Sequence, residues 1–183
     1  MTSHTIRDMT ATEISAMQRP MFDSLFQLYL YDFSEHTALG SQWGELDEDG
    51  RFDYSPGIDS YFEEHDRVPL LIRADGNIAG FALLHRWSAL DRPLDRAVAK
   101  FFVLRKYRQA RVGTRAAHLV FRRYPGRWEV AVADYNPEAL MFWRSAIRSL
   151  GVPGVQERAG DGRRWSGTVL CFDNTVSVAD AAD

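Results

Sequence analysis

The chain has 183 residues, 45% of them hydrophobic, 26% charged and 13% aromatic, with a formal net charge of −3. That length suits one domain with a full core and leaves little room for a second. The charge excludes bulk attraction to nucleic acid, the single cysteine, Cys171, excludes a disulfide framework or a Cys-based zinc site within one chain, and no apolar run approaches membrane-spanning length.

Residues 1–10 carry no basic segment followed by an apolar core, so no secretory signal is visible and a cytoplasmic location is expected. A short strand is expected near residues 4–7. Residues 12–36 read as a long helical region, with Met17, Met21, Leu25, Leu28 and Phe33 roughly on one face and Pro20 kinking or dividing it. Residues 40–57 form a polar loop with many acids, among them Glu45, Asp47, Glu48, Asp49 and Asp53, followed by a short helix near 58–65. Strands at 68–73 and 78–86 flank the turn Ala74-Asp75-Gly76-Asn77. A further strand covers 96–104. A helix over Val112–Arg123 is stopped by Tyr124-Pro125-Gly126. Residues 128–133 read as a buried strand. Pro137–Leu150 reads as a helix, with Asn136 as its cap and Pro137 at its first position. Two strands, at 155–158 and 165–172, complete a single domain over 1–173. The tail, 174–183, is small, polar and acidic and is expected to be disordered. This order predicts an α/β fold: a mixed sheet with helices on both faces, containing a right-handed β–α–β unit from 96 to 133.

The junction Phe101-Phe102-Val103-Leu104-Arg105-Lys106-Tyr107-Arg108-Gln109-Ala110-Arg111-Val112-Gly113-Thr114 is the most informative segment. An apolar strand runs through a basic turn into a helix, so free backbone N–H groups and the positive end of the helix dipole converge among Arg side chains. The place suits a pyrophosphate.

Arg108-Gln109-Ala110-Arg111-Val112-Gly113 resembles the Arg/Gln-x-x-Gly-x-Gly/Ala signature of the GNAT superfamily of acyl-CoA-dependent N-acyltransferases. Asn136-Pro137-Glu138-Ala139-Leu140-Met141-Phe142-Trp143 resembles that family's second signature, Asn-x-x-Ala-x-x-Phe-Tyr. The resemblance covers about residues 10–172. It implies a mostly antiparallel sheet of about six to seven strands, splayed after the fourth strand. It also implies acetyl-CoA as acyl donor, with no metal. The pantetheine arm would lie along backbone at Phe101, Phe102 and Val103. The pyrophosphate would sit over Arg108, Gln109, Ala110, Arg111, Val112, Gly113 and Thr114, with Asn136 and Trp143 beside the arm.

Three positions depart from the pattern. Arg111 stands where the first signature glycine is expected, and a left-handed arginine costs on the order of 1–2 kcal/mol. Lys100 stands where many relatives carry a Glu that helps deprotonate the amine. Trp143 replaces a Tyr that often protonates the leaving thiolate, and an indole N–H has no useful acidity. Tyr135 and His85 are therefore the candidate acid–base groups. The acceptor is expected to be a small cationic amine, met by Tyr31, Asp32 and Glu35, with Tyr29, His36 and Trp43 nearby. The leading expectation is an N-acetyltransferase. The alternatives are a catalytically degenerate CoA-binding module or an enzyme of another reaction class on the same scaffold. The final strands could pair two copies into a homodimer.

Overall fold

A computed structural model describes residues 5–39, 44–54, 58–108 and 110–175. A seven-stranded sheet runs in the order β1-β2-β3-β4-β5-β7-β6. Its strands are β1 (Met9–Glu13), β2 (Val68–Ala74), β3 (Asn77–His85), β4 (Arg96–Val103), β5 (Arg127–Ala133), β6 (Gln156–Ala159) and β7 (Gly167–Asp173). Every neighbouring pair is antiparallel except β4 and β5, which are parallel. The helices are α1 (Arg19–Phe33), α2 (Ser60–Glu63), α3 (Arg105–Arg108), α4 (Val112–Arg123) and α5 (Pro137–Leu150).

The interior strands β2 and β3 are buried along nearly their whole length, because both faces of the sheet are covered. On one face, Phe22, Leu25, Phe26 and Leu30 of α1 pack with Leu71, Phe81 and Leu83. On the other, Phe121 of α4 and Trp143 and Ile147 of α5 pack with Leu70, Leu84 and Trp128. Phe121, Trp128 and Phe172 meet at ring-centroid separations of 4.9 to 6.3 Å. Gly80 lets β3 lie close to β4: a Cβ there would stand 1.9 Å from the Phe102 carbonyl oxygen.

Both long C-terminal helices begin and end where their punctuation places them. Asn136 Oδ1 accepts from the Ala139 N–H (3.0 Å), Pro137 opens α5, and Gly151 closes it in the left-handed region. Three expectations are corrected. The first strand forms at Met9–Glu13 rather than at 4–7, paired with β2. Pro20 does not kink the first helix; it sits in that helix's first turn, where a missing N–H costs nothing, after a capping box of Ser15 and Gln18. The buried face of α1 is Phe22, Leu25, Phe26 and Leu30, whereas Met17 and Leu28 are exposed. The four aromatic and leucine side chains offer more apolar area at i, i+3, i+4 and i+8 than the methionine series does, and that face wins the sheet.

Asn174, placed by the sequence at the start of the tail, is held by the sheet end. Its side-chain oxygen accepts from the Gly126 N–H (2.7 Å) and its amide donates to the Phe121 carbonyl (2.6 Å). Residues 176–183 lie outside the described residues.

Candidate active site

The site begins where β4 and β5 part. They pair only at Arg96–Trp128, Ala97–Glu129 and Val98–Val130, although β4 continues to Val103 and β5 to Ala133. The next residue of β4, Ala99, is bulged against the Leu83/Leu84 step of β3. A bulge bends its strand and raises the local twist, so β4 turns away from β5 and a V-shaped opening results.

Among the described residues, four cavities that share lining residues follow that opening. A cleft of about 320 Å³ lies between the end of β4, α1 and the start of α5; Phe101, Val103, Arg108, Gly113, Asn136 and Phe142 line it. A cavity of about 160 Å³ fills the V itself, between Ala99–Phe101 and Val130–Ala133, with Trp143 and Tyr135 in its wall. A third, of about 460 Å³, opens between α1 and the segment around Tyr54, and also reaches Tyr135. The fourth, about 160 Å³, lies on the other side of β4 and β5 beneath His85, Trp87 and Trp165. Lys100 borders the last three.

The turn before α4 folds as the sequence suggests. Arg111 is its cap residue in the left-handed region, φ 55° and ψ 18°. It is exposed, and its guanidinium does not enter the 320 Å³ cleft. Gly113 packs close to α5: a Cβ there would stand 3.1 Å from the Phe142 ring, which would have to shift. The amide groups of Ala110, Arg111, Val112 and Thr114 belong to this turn. Gln109 lies outside the described residues, as does Trp43.

Arg108 is held on two sides. Its Nε donates to the Val103 carbonyl (2.9 Å) and its terminal nitrogen pairs with Asp32 of α1. Arg105 Nε also pairs with Asp32, at 2.7 Å. Burial alone would push the Asp32 carboxyl up, but hydrogen bonds and charge from Arg108 and Arg105 outweigh it and hold it below the usual carboxylate range. Asp32 and Glu35, which the sequence assigned to the acceptor, line the cleft beside Arg108. Tyr31 is 65% exposed and meets Phe52. Thus Asp32 is engaged by two guanidinium groups contributed from 73 and 76 residues away.

Phe102 is buried with its ring in the α1 side of the core, and the residue borders the cleft. Trp143 is likewise buried, 5.0 Å from Phe101 and 4.9 Å from Phe142 between ring centroids. Tyr135 stands at the C-terminal end of β5, packed at the rim against Phe33 and His36, each 6.1 Å away. Burial, then the nearby Tyr54, raises its phenol above the usual range, so it stays protonated.

His85 ends β3 and accepts the Trp87 N–H at Nδ1 (3.0 Å). Burial first, then the charges of Arg67 and Lys100, pushes its pKa down from 6.5 to about 4. The neutral ring therefore carries its proton on Nε2. The unfolded chain binds this proton first as pH falls, so stability should decline between about 6.5 and about 4. His85→Gln should flatten that part of a denaturant-midpoint-versus-pH curve; an unchanged slope would show that His85 does not cause it.

A residue the sequence did not single out shapes the fourth cavity. Glu129 of β5 is fully buried. Its oxygens accept from Ser88 Oγ (3.0 and 3.1 Å), the Ala89 N–H (2.9 Å) and Arg92 Nε (2.9 Å). The network fixes the turn after β3. A lone carboxylate in the apolar run Trp-Glu-Val-Ala-Val-Ala was the available signal. Among the described residues, no group of three or more His, Cys, Asp or Glu could hold a metal, and no helix is long and apolar enough to cross a membrane.

Comparison with known proteins agrees with this geometry. None of the curated proteins compared matches the sequence. Solved structures do match in fold. An acetyltransferase from Thermus thermophilus superposes with a TM-score of 0.61 at 11% identity, over 92% of this chain and 97% of that one. The aminoglycoside acetyltransferase AAC(6')-Ib, in complex with ribostamycin and coenzyme A, gives 0.61 at 8% identity, over 92% and 95%. Spermidine N-acetyltransferase from Vibrio cholerae, in complex with CoA and spermine, gives 0.53 at 10% identity, over 91% and 96%. The family model for the acetyltransferase (GNAT) family matches residues 23–146, and with a sheet that opens beyond Val98 against the turn into α4, the chain belongs to that family.

Proposed function

We propose that the protein transfers the acetyl group of acetyl-CoA to the primary amine of a small acceptor, an amine that is an ammonium in solution. The parting of β4 from β5 beyond Val98 is the observation that supports this most directly. It leaves the outer length of β4 open to an extended ligand, which strand-like backbone pairing would hold. The cleft then leads to the N-terminus of a twelve-residue helix with Arg108 at its edge, a setting that favours a diphosphate.

In this reading Phe101, Phe102 and Val103 offer backbone to the pantetheine arm. Arg108 and the amides of Gln109, Arg111, Val112, Gly113 and Thr114 hold the diphosphate, while Ala110, whose N–H donates to the Tyr107 carbonyl (3.3 Å), shapes the turn. Asn136 shapes the cleft by fixing the start of α5, and Trp143 supports the wall of the V. Bound acetyl-CoA supplies a thioester carbonyl and a thiol leaving group. The chain supplies position, and holding amine and thioester in line can remove a large part of the barrier to aminolysis. Tyr135, protonated at the rim of the V, is the proton donor toward the thiolate. His85, whose Nδ1 already accepts from Trp87 and whose Nε2 carries the ring proton, borders the fourth cavity as a donor, and the proton of the acceptor ammonium leaves to water. Tyr31 and Glu35 flank the entrance, and Asp32 acts there through Arg105 and Arg108. The location is proposed as cytoplasmic, and the exposed strand β6 as the edge through which two copies would pair.

The test is release of CoA thiol with a panel of primary amines: turnover with at least one supports the proposal. Lys100 and Trp143, standing where the resemblance puts a Glu and a Tyr, favour a second reading, a CoA-binding module. Saturable CoA binding without thiol release across the panel would select it.

Arg111 separates backbone from side chain. Arg111→Gly relieves a left-handed arginine, worth about 1–2 kcal/mol, and frees the unfolded chain by about 0.4–1 kcal/mol, so a small net stabilisation is expected by denaturant titration. Because the amide remains, CoA affinity should stay within about threefold. A larger loss would assign the phosphate grip to the guanidinium.

A further inference from the structure

Lys100 is the most informative side chain outside the donor cleft. It lies on β4 one residue beyond the bulge, half-buried, where the V meets the cavities on either side. Its Nζ stands 5.7 Å from the Tyr54 ring centroid, and among the described residues no carboxylate forms an ion pair with it. The carboxylates nearby do not cancel its charge. Glu129 is taken by Arg92, Ser88 and the Ala89 amide, and Asp53 stands exposed on the rim of the 460 Å³ cavity. Two further polar groups that border these cavities carry protons. His85 presents an Nε2 proton because Nδ1 already accepts from Trp87, and Tyr135 keeps its hydroxyl proton. A half-buried ammonium facing donors and rings repels a polyamine and attracts an anion.

The geometry points to an acceptor that carries a carboxylate beside its amine, an α-amino acid or close analogue, with Lys100 as the partner of that carboxylate. The word acceptor rests on the acyl-transfer proposal above; the carboxylate preference rests on Lys100. Lys100 borders the V in which the thioester would lie, so the anion it holds must be close to the reacting amine. In an α-amino acid the two groups share one carbon. A remote carboxylate on a long acceptor would not satisfy that spacing.

The experiment titrates the full chain, saturated with CoA, with glycine, alanine, methionine and phenylalanine and with their methyl esters, by calorimetry. At least one acid should bind about tenfold more tightly than its ester. Lys100→Met should bring acid and ester within about twofold of each other, and Lys100→Arg should restore part of the preference. If Lys100→Met fails to fold, Lys100→Gln serves in its place. Esters binding as well as acids, no acid of the set binding, or an unchanged ratio in Lys100→Met would overturn the inference. Thiol release from acetyl-CoA over the same set reads the proposed activity separately. Acids that bind through Lys100 without thiol release would end the acyl-transfer reading and leave the carboxylate site standing. Thiol release that is equal for acids and esters would do the reverse.

Discussion

Glu129→Ala should lower the free energy of unfolding by roughly 3 kcal/mol, because it orphans the buried Ala89 N–H and Ser88 hydroxyl and opens a void in the sheet. Arg92 is partly exposed and can turn to water, which keeps the loss below that of a fully buried pair. Glu129→Gln keeps an acceptor and should lose about half as much. Equilibrium denaturation reads both. The turn that Glu129 holds carries Trp87 and Ala89 against the fourth cavity, so in the proposed reaction the folded Glu129→Ala protein should show a raised KM for acceptor with a smaller change for acetyl-CoA. A stability loss under about 1 kcal/mol would mean that water or another side chain satisfies these donors.

The second large effect concerns Arg108. Its guanidinium is placed by the Val103 carbonyl and Asp32 at the mouth of the cleft. A charge-assisted bond to a phosphate contributes about 1.5–3 kcal/mol, so Arg108→Ala should weaken acetyl-CoA binding by about 10- to 100-fold. Asp32→Asn should act in the opposite direction. It removes an anion from the proposed donor cleft and releases Arg105 and Arg108, and tightening by about two- to fivefold is expected. Calorimetric titration of both variants checks the pair of signs. If Asp32→Asn weakens binding as Arg108→Ala does, Asp32 serves to hold Arg108 in position rather than to compete for it.

The contrast between these residues explains what could be read in the sequence. Helix α4 and helix α5 were legible to the residue, because Tyr124-Pro125-Gly126, Asn136-Pro137 and Gly151 act within one turn of chain. The left-handed Arg111 was legible for the same reason: the signature demanded a conformation there whatever the side chain. The buried face of α1 was not, since two apolar series run along that helix and the sheet decides between them. Asp32 shows the sharper limit. Acids near rings on α1 suit a cationic amine, yet the cations that meet Asp32 are Arg105 and Arg108, brought to it by the exit of β4. Only the fold makes that contact. The bulge at Ala99, which opens the sheet, leaves no mark in a strand that reads as uniformly apolar around Lys100.

Amide hydrogen exchange with and without acetyl-CoA tests the central claim most directly. Ligand should slow exchange at residues 100–103 of β4 and 110–114 at the turn into α4, with little change in β1 or β6. Protection confined to other segments, or none at saturating acetyl-CoA, would contradict a donor site in the opening between β4 and β5.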